Sequence, residues 1–387
     1  MALASFSWEE VCRRRLAAQH LRAPLPVASF DRMVADICGL HAQVMSAAEL
    51  AAAVRLDGLR RGTVATALWE DRRLVKVWAQ RGTLHLLLAG ELPLYVAALS
   101  NRRFDLDGPW LKYFGLEARE VPALIDAVAE ALDGRQLSRE ELASEVVHIL
   151  GDPKFETLLA SGWGALLKPA AFQGVLCFGP SEGNRVTFVR PDQWIGPFEM
   201  PDPMESLREM ARRFLVAYGP ATVDEFARWW GVKPKAVRPV FTVGDGFEQV
   251  EVEGRKAWTV EGPPVPDGDD GPVVRLLPLF DPYVVAVRRA GERPLDSPLK
   301  DLVYRKAGWI SPVLLVDGEL AGVWEHTEGK DGLRVDIRPF HPLDAVVTDR
   351  AVADARRLAH HLGAALSVTF SDDRGGFEAA PSRNNLS

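Results

Sequence analysis

Apolar positions along the chain recur at helical spacing and then switch to strict alternation, and this sequence of patterns appears three times. Helical spacing runs over roughly Phe30 to Leu40, Pro122 to Leu132 and Met204 to Tyr218. Each stretch is followed by a Ser or Thr with Glu three residues on, the pattern of a capping box that satisfies free amides at a helix start. Ser46 with Glu49, Ser138 with Glu141 and Thr222 with Glu225 each predict the start of a second helix. A third, shorter helical stretch is predicted around Thr63 to Trp69, Thr157 to Phe172 and Pro234 to Val240. Alternating segments then predict three hairpins: LVKVWA with TLHLLL, VLCF with RVTFV, and FEQVEVE with KAWTV. Helix, helix, helix, hairpin is the order of a winged helix, a helix-turn-helix variant whose third helix can enter the major groove.

After a linker-like PPVPDGDDGP the pattern becomes mostly β. Val273 to Leu279 and Tyr283 to Val287 read as strands, and VLLVDGELAGVW reads as a hairpin turning at Asp317 and Gly318. LRVDI, a helix over Ala345 to Leu362 and a final strand LSVTF follow. The fold class is therefore α+β. The expected domains are winged-helix units over 1–118, 119–202 and 203–264, a C-terminal β-rich domain over 273–371 and a loose tail over 372–387.

At 387 residues, 47% of them hydrophobic, the chain has ample material for several cores. Cys12, Cys38 and Cys177 lie far apart and form no CxxC pair, so neither a zinc site nor a disulfide framework is suggested. No metal and no cofactor are expected. Neither a membrane-length apolar run nor a signal-peptide core is present, so a monomeric, cytoplasmic protein is expected. The net charge of -7 weighs against nucleic acid, but residues 1–110 hold 14 basic against 11 acidic side chains. A basic face on an acidic body is compatible with these counts. Walker A, clustered acidic and GxGxxG patterns are missing, which excludes helicase, nuclease and methyltransferase readings.

The turn before the first box reads Gly39-Leu40-His41-Ala42-Gln43. On a continuous helix residues two apart diverge, whereas in an extended turn they project to one side, so convergence of His41 and Gln43 requires a helix end near Gly39. The residue types alone leave two readings open, a core histidine beside a solvated glutamine or a pair that holds a water. Asp281, in FDPY, is a fallback carboxylate for activating water, with a plain Asp-Pro turn as its alternative. Arg60, Arg61, Arg72, Arg73, Lys76 and Arg81 cluster around the first predicted wing and suit phosphate contacts. Trp163, Trp194, Trp229 and Trp230 fall beside apolar helical positions and read as core.

GLHAQ, RGTLHLL, CFGP with NRVTFVRPDQW, LLPLFDPYVV followed by RR, and RKAGWISPVLLVDGELAGVW together resemble the AlkZ/YcaQ family of bacterial DNA glycosylases over about Trp8 to Phe370. The resemblance implies three tandem winged helices forming a concave cleft for double-stranded DNA, with a C-terminal barrel-like domain. It also implies a cleft hairpin, which AGERPLDSPLKDLVY would carry between Arg288, Arg289 and Arg305, Lys306. The implied activity is hydrolytic removal of bulky N7-alkylated purines or unhooking of interstrand crosslinks, in repair or in self-protection of a genotoxin producer. The family's Gln-x-Gln or Gln-x-Asp active-site motif aligns with His41 and Gln43, so this chain carries His-x-Gln and sides with the AlkZ-like branch. No lysine lies in the motif, which predicts a monofunctional enzyme without a Schiff-base step. The competing reading is a non-catalytic winged-helix protein that regulates or sequesters lesions.

Overall fold

The computed structural model describes residues 3–100, 102, 106–160, 164–262, 271–286, 297–330 and 332–371. Trp163, Arg288, Arg289 and the tail over 372–387 lie outside the described residues. The chain divides into two compact units, one of Met1–Val64 with Ala211–Asn385 and the other of Ala65–Met210. The first 64 residues thus join the C-terminal half rather than their neighbours in sequence.

In the Ala65–Met210 unit the first hairpin pairs Leu74–Trp78 with Leu84–Leu88, Leu74 opposite Leu88 and Trp78 opposite Leu84. All five residues of Leu74–Trp78 are buried, so this wing strand has no solvent face despite its alternating sequence. The helices Glu120–Ala131 and Arg139–Leu150 precede a second hairpin of Cys177–Glu182 and Arg185–Val189, extended by Leu137–Ser138 into three strands. Ser138 and Glu141 form the predicted capping box, and Gly151 closes the helix at φ 67°. The stretch read as one helix over Thr157 to Phe172 is instead the helices Lys154–Ala160 and Lys168–Phe172. Trp78 packs on Phe178, with ring centroids 4.7 Å apart. A Cβ on Gly164 would lie 2.5 Å from the Trp78 ring, which explains the glycine there.

In the other unit Ala4–Phe6 adds in parallel to the third predicted hairpin, Glu248–Val252 with Arg255–Thr259. Thr222 and Glu225 form their predicted box at the head of Val223–Trp230. Trp229 and Trp230 are core, packed with Phe214 and Phe226. The predicted box at Ser46 is corrected: the N-cap of the helix Met45–Arg55 lies two residues earlier, at Val44, and makes no side-chain bond. Glu49 instead accepts from the Gly62 amide.

The C-terminal region is an open five-stranded sheet in the order Val274–Leu277, Val313–Val316, Glu319–Gly329, Gly332–Pro339, Leu366–Phe370, rather than a closed barrel. Asp317 and Gly318, at φ 50° and 89°, make the predicted tight turn. The helix Ala345–Leu362 covers the sheet, and its Leu358 shares a core with Trp324, Ile337 and with Leu50 of Met45–Arg55. Of Tyr283 to Val287, predicted as a strand, Tyr283 to Ala286 falls in the helix Pro282–Ala286, and Val287 lies outside the described residues. Proline suits a first helical position, and the Asp281 carboxylate accepts from the Tyr283 amide 2.9 Å away, so local capping overrides β-branched propensity. No helix among the described residues is long and apolar enough to cross a membrane.

Candidate active site

The helix Phe30–Asp36 stops short of the predicted Leu40, because Cys38 and Gly39 take left-handed φ of 60° and 92° and reverse the chain. Tyr218 pins this turn by donating its hydroxyl to the Ile37 carbonyl at 2.8 Å. Leu40–His41 is then extended, Ala42 is fully buried, and Met45–Arg55 begins two residues past Gln43. The extended backbone ends at His41, and Gln43 stands at a bend just before the helix. His41 is 6% exposed and Gln43 half-buried.

Phe280 covers one face of the imidazole, with ring centroids 4.8 Å apart and planes inclined by 26°. Trp309 lies on from Phe280 at 5.2 Å. Asp281, the next residue and the fallback carboxylate, is placed where it does not suit activation of a water. It is fully buried and gives both oxygens to Arg55, Oδ2 to Nη1 at 2.7 Å and Oδ1 to Nη2 at 2.8 Å. Arg55 also donates to the Ala51 carbonyl and to Gln19, whose amide donates to the Ala217 carbonyl. A carboxylate with both oxygens bound and no solvent access orients its neighbours rather than abstracting protons. Arg55, Gln19 and Phe280 were not singled out from sequence. The signal was there for Arg55, a lone arginine in the apolar run AAAVRL.

The predicted phosphate contacts scatter. Arg60 and Lys306 are exposed, and Arg81 and Arg305 are half-buried. Arg61 is exposed but bound to Glu328 at 2.6 Å, which raises its pKa. Arg72 lies 3.7 Å over the Trp194 ring and donates to the Trp194 carbonyl, and Arg73 pairs with Asp71. Lys76 is corrected: it is 7% exposed, sits 5.3 Å from the Phe178 ring, and its pKa falls to about 8 through desolvation. A buried ammonium in a strand centre does not reach a phosphate. His85, in the partner strand, is wholly buried and depressed to about 3 by desolvation, hence neutral.

The His-x-Gln turn between the helices Phe30–Asp36 and Met45–Arg55, with the Phe280 ring on the imidazole, is the candidate site of this α+β fold. The family model of AlkZ-like DNA glycosylases matches residues 34–366, and the chain belongs to that family. It is a DNA glycosylase, an enzyme that hydrolyses N-glycosidic bonds. Among curated proteins, the chain is 38% identical over 368 residues to an interstrand DNA cross-link repair glycosylase of Streptomyces sahachiroi, covering 92% of this chain and 97% of that one. Among solved structures it resembles the DNA glycosylase AlkZ of Streptomyces sahachiroi with a TM-score of 0.83 and 34% identity, over 95% of this chain and 100% of the other.

Proposed function

We propose that this glycosylase releases bulky N7-alkylated purines from duplex DNA and unhooks interstrand crosslinks, leaving an abasic site without cutting the strand. The observation that supports this reading is that the helix Phe30–Asp36 ends before the His-x-Gln motif, which leaves His41 and Gln43 in a non-helical turn with His41 stacked on Phe280. Crosslink repair is named for the Streptomyces sahachiroi relative, which supports the lesion class.

Alkylation at N7 makes the purine cationic, so it departs as a neutral base and no strong acid is required. The protein must place a water near the oxocarbenium-like sugar carbon, which the Gln43 amide does by hydrogen bonding. In its neutral form His41 can accept that water's proton, a role worth roughly 10² to 10⁴ in rate. Strand cleavage through an imine needs a nucleophilic amine beside the sugar, and the His-x-Gln turn supplies none. Arg60, Arg61, Arg72, Arg73, Arg81, Arg305 and Lys306 are proposed to serve phosphate contact, with Arg288 and Arg289 added from the sequence alone. A host expressing the protein is expected to survive a DNA-crosslinking agent better than one without it.

The test is a duplex oligonucleotide carrying one bulky N7-alkylguanine. Freed base and alkali-labile strands are expected from the wild type. Rates about 10²-fold lower are expected from His41→Ala and Gln43→Ala, with DNA affinity retained. A crosslinked duplex is expected to yield separable strands on a denaturing gel. Binding without release by the wild type would replace this reading with lesion sequestration.

A further inference from the structure

We propose that Phe280 is a positioning residue for His41, fixing the plane of the imidazole during excision. The inference rests on the reading that His41 takes part in the reaction. Phe280 holds φ 56°, a left-handed conformation that a bulky side chain adopts only when its surroundings impose it. The surroundings do impose it. Its amide donates to the Ile310 carbonyl at 3.3 Å, and the Asp281 amide to the Pro278 carbonyl at 3.2 Å. Asp281 is then locked by the two bonds to Arg55 and by the Tyr283 amide.

Filling space does not explain this arrangement, because an aliphatic side chain on relaxed backbone would do so without strain. The strained backbone delivers a flat ring nearly parallel to the imidazole, backed by Trp309. A parallel plate on one face restricts rotation of the imidazole about its terminal torsion, which is otherwise broad. His41 Nδ1 is shielded from solvent, and the reading beneath this inference therefore assigns proton exchange with water to Nε2. The direction of Nε2 follows from the ring plane, and small misplacement of a catalytic group is costly in rate, on the order of 10²-fold for 1 Å. Asp281 and Arg55 thereby act on the chemistry at one remove, by holding Phe280.

The experiment measures single-turnover base release, DNA affinity and thermal unfolding on the same N7-alkylguanine duplex. Phe280→Leu is expected to slow release about tenfold with affinity unchanged, while Phe280→Tyr, which keeps the stack, stays within about twofold of wild type. Phe280→Gly relieves the backbone strain, so it should unfold at a higher temperature than Phe280→Ala yet release base as slowly. In a His41→Ala background, Phe280→Leu should add nothing, since its effect passes through the imidazole. A wild-type rate for Phe280→Leu beside an inactive His41→Ala overturns this inference alone. An equal tenfold loss in the His41→Ala background also overturns it. A fully active His41→Ala overturns both the inference and the reading beneath it.

Discussion

Removing the charge of Asp281 by Asp281→Asn should unfold this protein more than it should alter any titration of catalysis. Arg55 and Asp281 are both fully buried and joined by bonds of 2.7 and 2.8 Å. The asparagine keeps one acceptor but strands a guanidinium charge where no water reaches it. Breaking one partner of a buried pair costs about 3 to 5 kcal/mol, and the retained acceptor puts this variant near 3. With a urea slope of about 3 kcal/mol/M, the unfolding midpoint followed by tryptophan fluorescence should fall by roughly 1 M. Replacing both partners, Arg55→Met with Asp281→Leu, should recover most of that loss, because matched apolar groups remove the stranded charge. With Arg55→Met and Asp281→Leu each costing about 3 kcal/mol alone and about 1 together, a double-mutant coupling of about 5 kcal/mol is expected. If Asp281 were instead the base that activates water, Asp281→Asn would abolish excision at unchanged stability. That outcome, or a double variant whose loss equals the sum of the singles, would refute the ion-pair argument.

Two further outcomes check other parts of the structure. Ser138→Ala should cost about 1 kcal/mol in denaturant unfolding, since its hydroxyl caps Arg139–Leu150, whereas Ser46→Ala, inside Met45–Arg55, should cost close to nothing; equal losses would contradict the placement of the first box. Lys76 has a folded-state pKa of about 8, below its ordinary 10.5, so the unfolded chain binds the extra proton and stability should climb as pH rises from about 8 to 10.5. Below pH 8 the buried ammonium costs on the order of 3 kcal/mol, and Lys76→Met should recover it and flatten the climb. A pH-independent difference between Lys76→Met and wild type would count against burial as the cause.

Local pattern carried much of this architecture because the elements are capped and bounded by their own residues. The helix Ala345–Leu362 begins after Asp344, which caps it, and ends at Gly363 in a left-handed conformation, both visible as letters. The three hairpins were equally legible from alternation. Errors arose where distant groups competed for a local signal. Glu49 matched a box but was taken by Gly62, and Tyr283–Val285 read as β until Asp281 capped them into a helix. The candidate site was half legible. His41 and Gln43 follow from one turn, while Phe280 and the Arg55–Asp281 pair depend on residues 226 positions apart, which no local spacing encodes.

The chemistry explains why the polar investment near His41 takes the form of orientation. On the proposed substrate, a cationic purine leaves without a strong acid, so an enzyme of this kind gains little from forcing a carboxyl or lysine far from its ordinary pKa. Lys76, His85 and Cys177 do have displaced pKa values, yet each is shifted first by desolvation inside the winged hairpins of the Ala65–Met210 unit. Tyr283, two residues from Asp281, is raised well above its ordinary value by the same cause, so a search for perturbed titrations alone would return desolvated core groups rather than single out the His-x-Gln turn. Around His41 the buried charges of Arg55 and Asp281 cancel each other and are joined to Gln19 and the backbone of Ala51 and Tyr283. Such a pair adds little net stability relative to apolar packing, but it admits only one register between Met45–Arg55 and the Phe280 segment. Register is what a stacked ring requires, since a shift of an ångström would uncover the imidazole face.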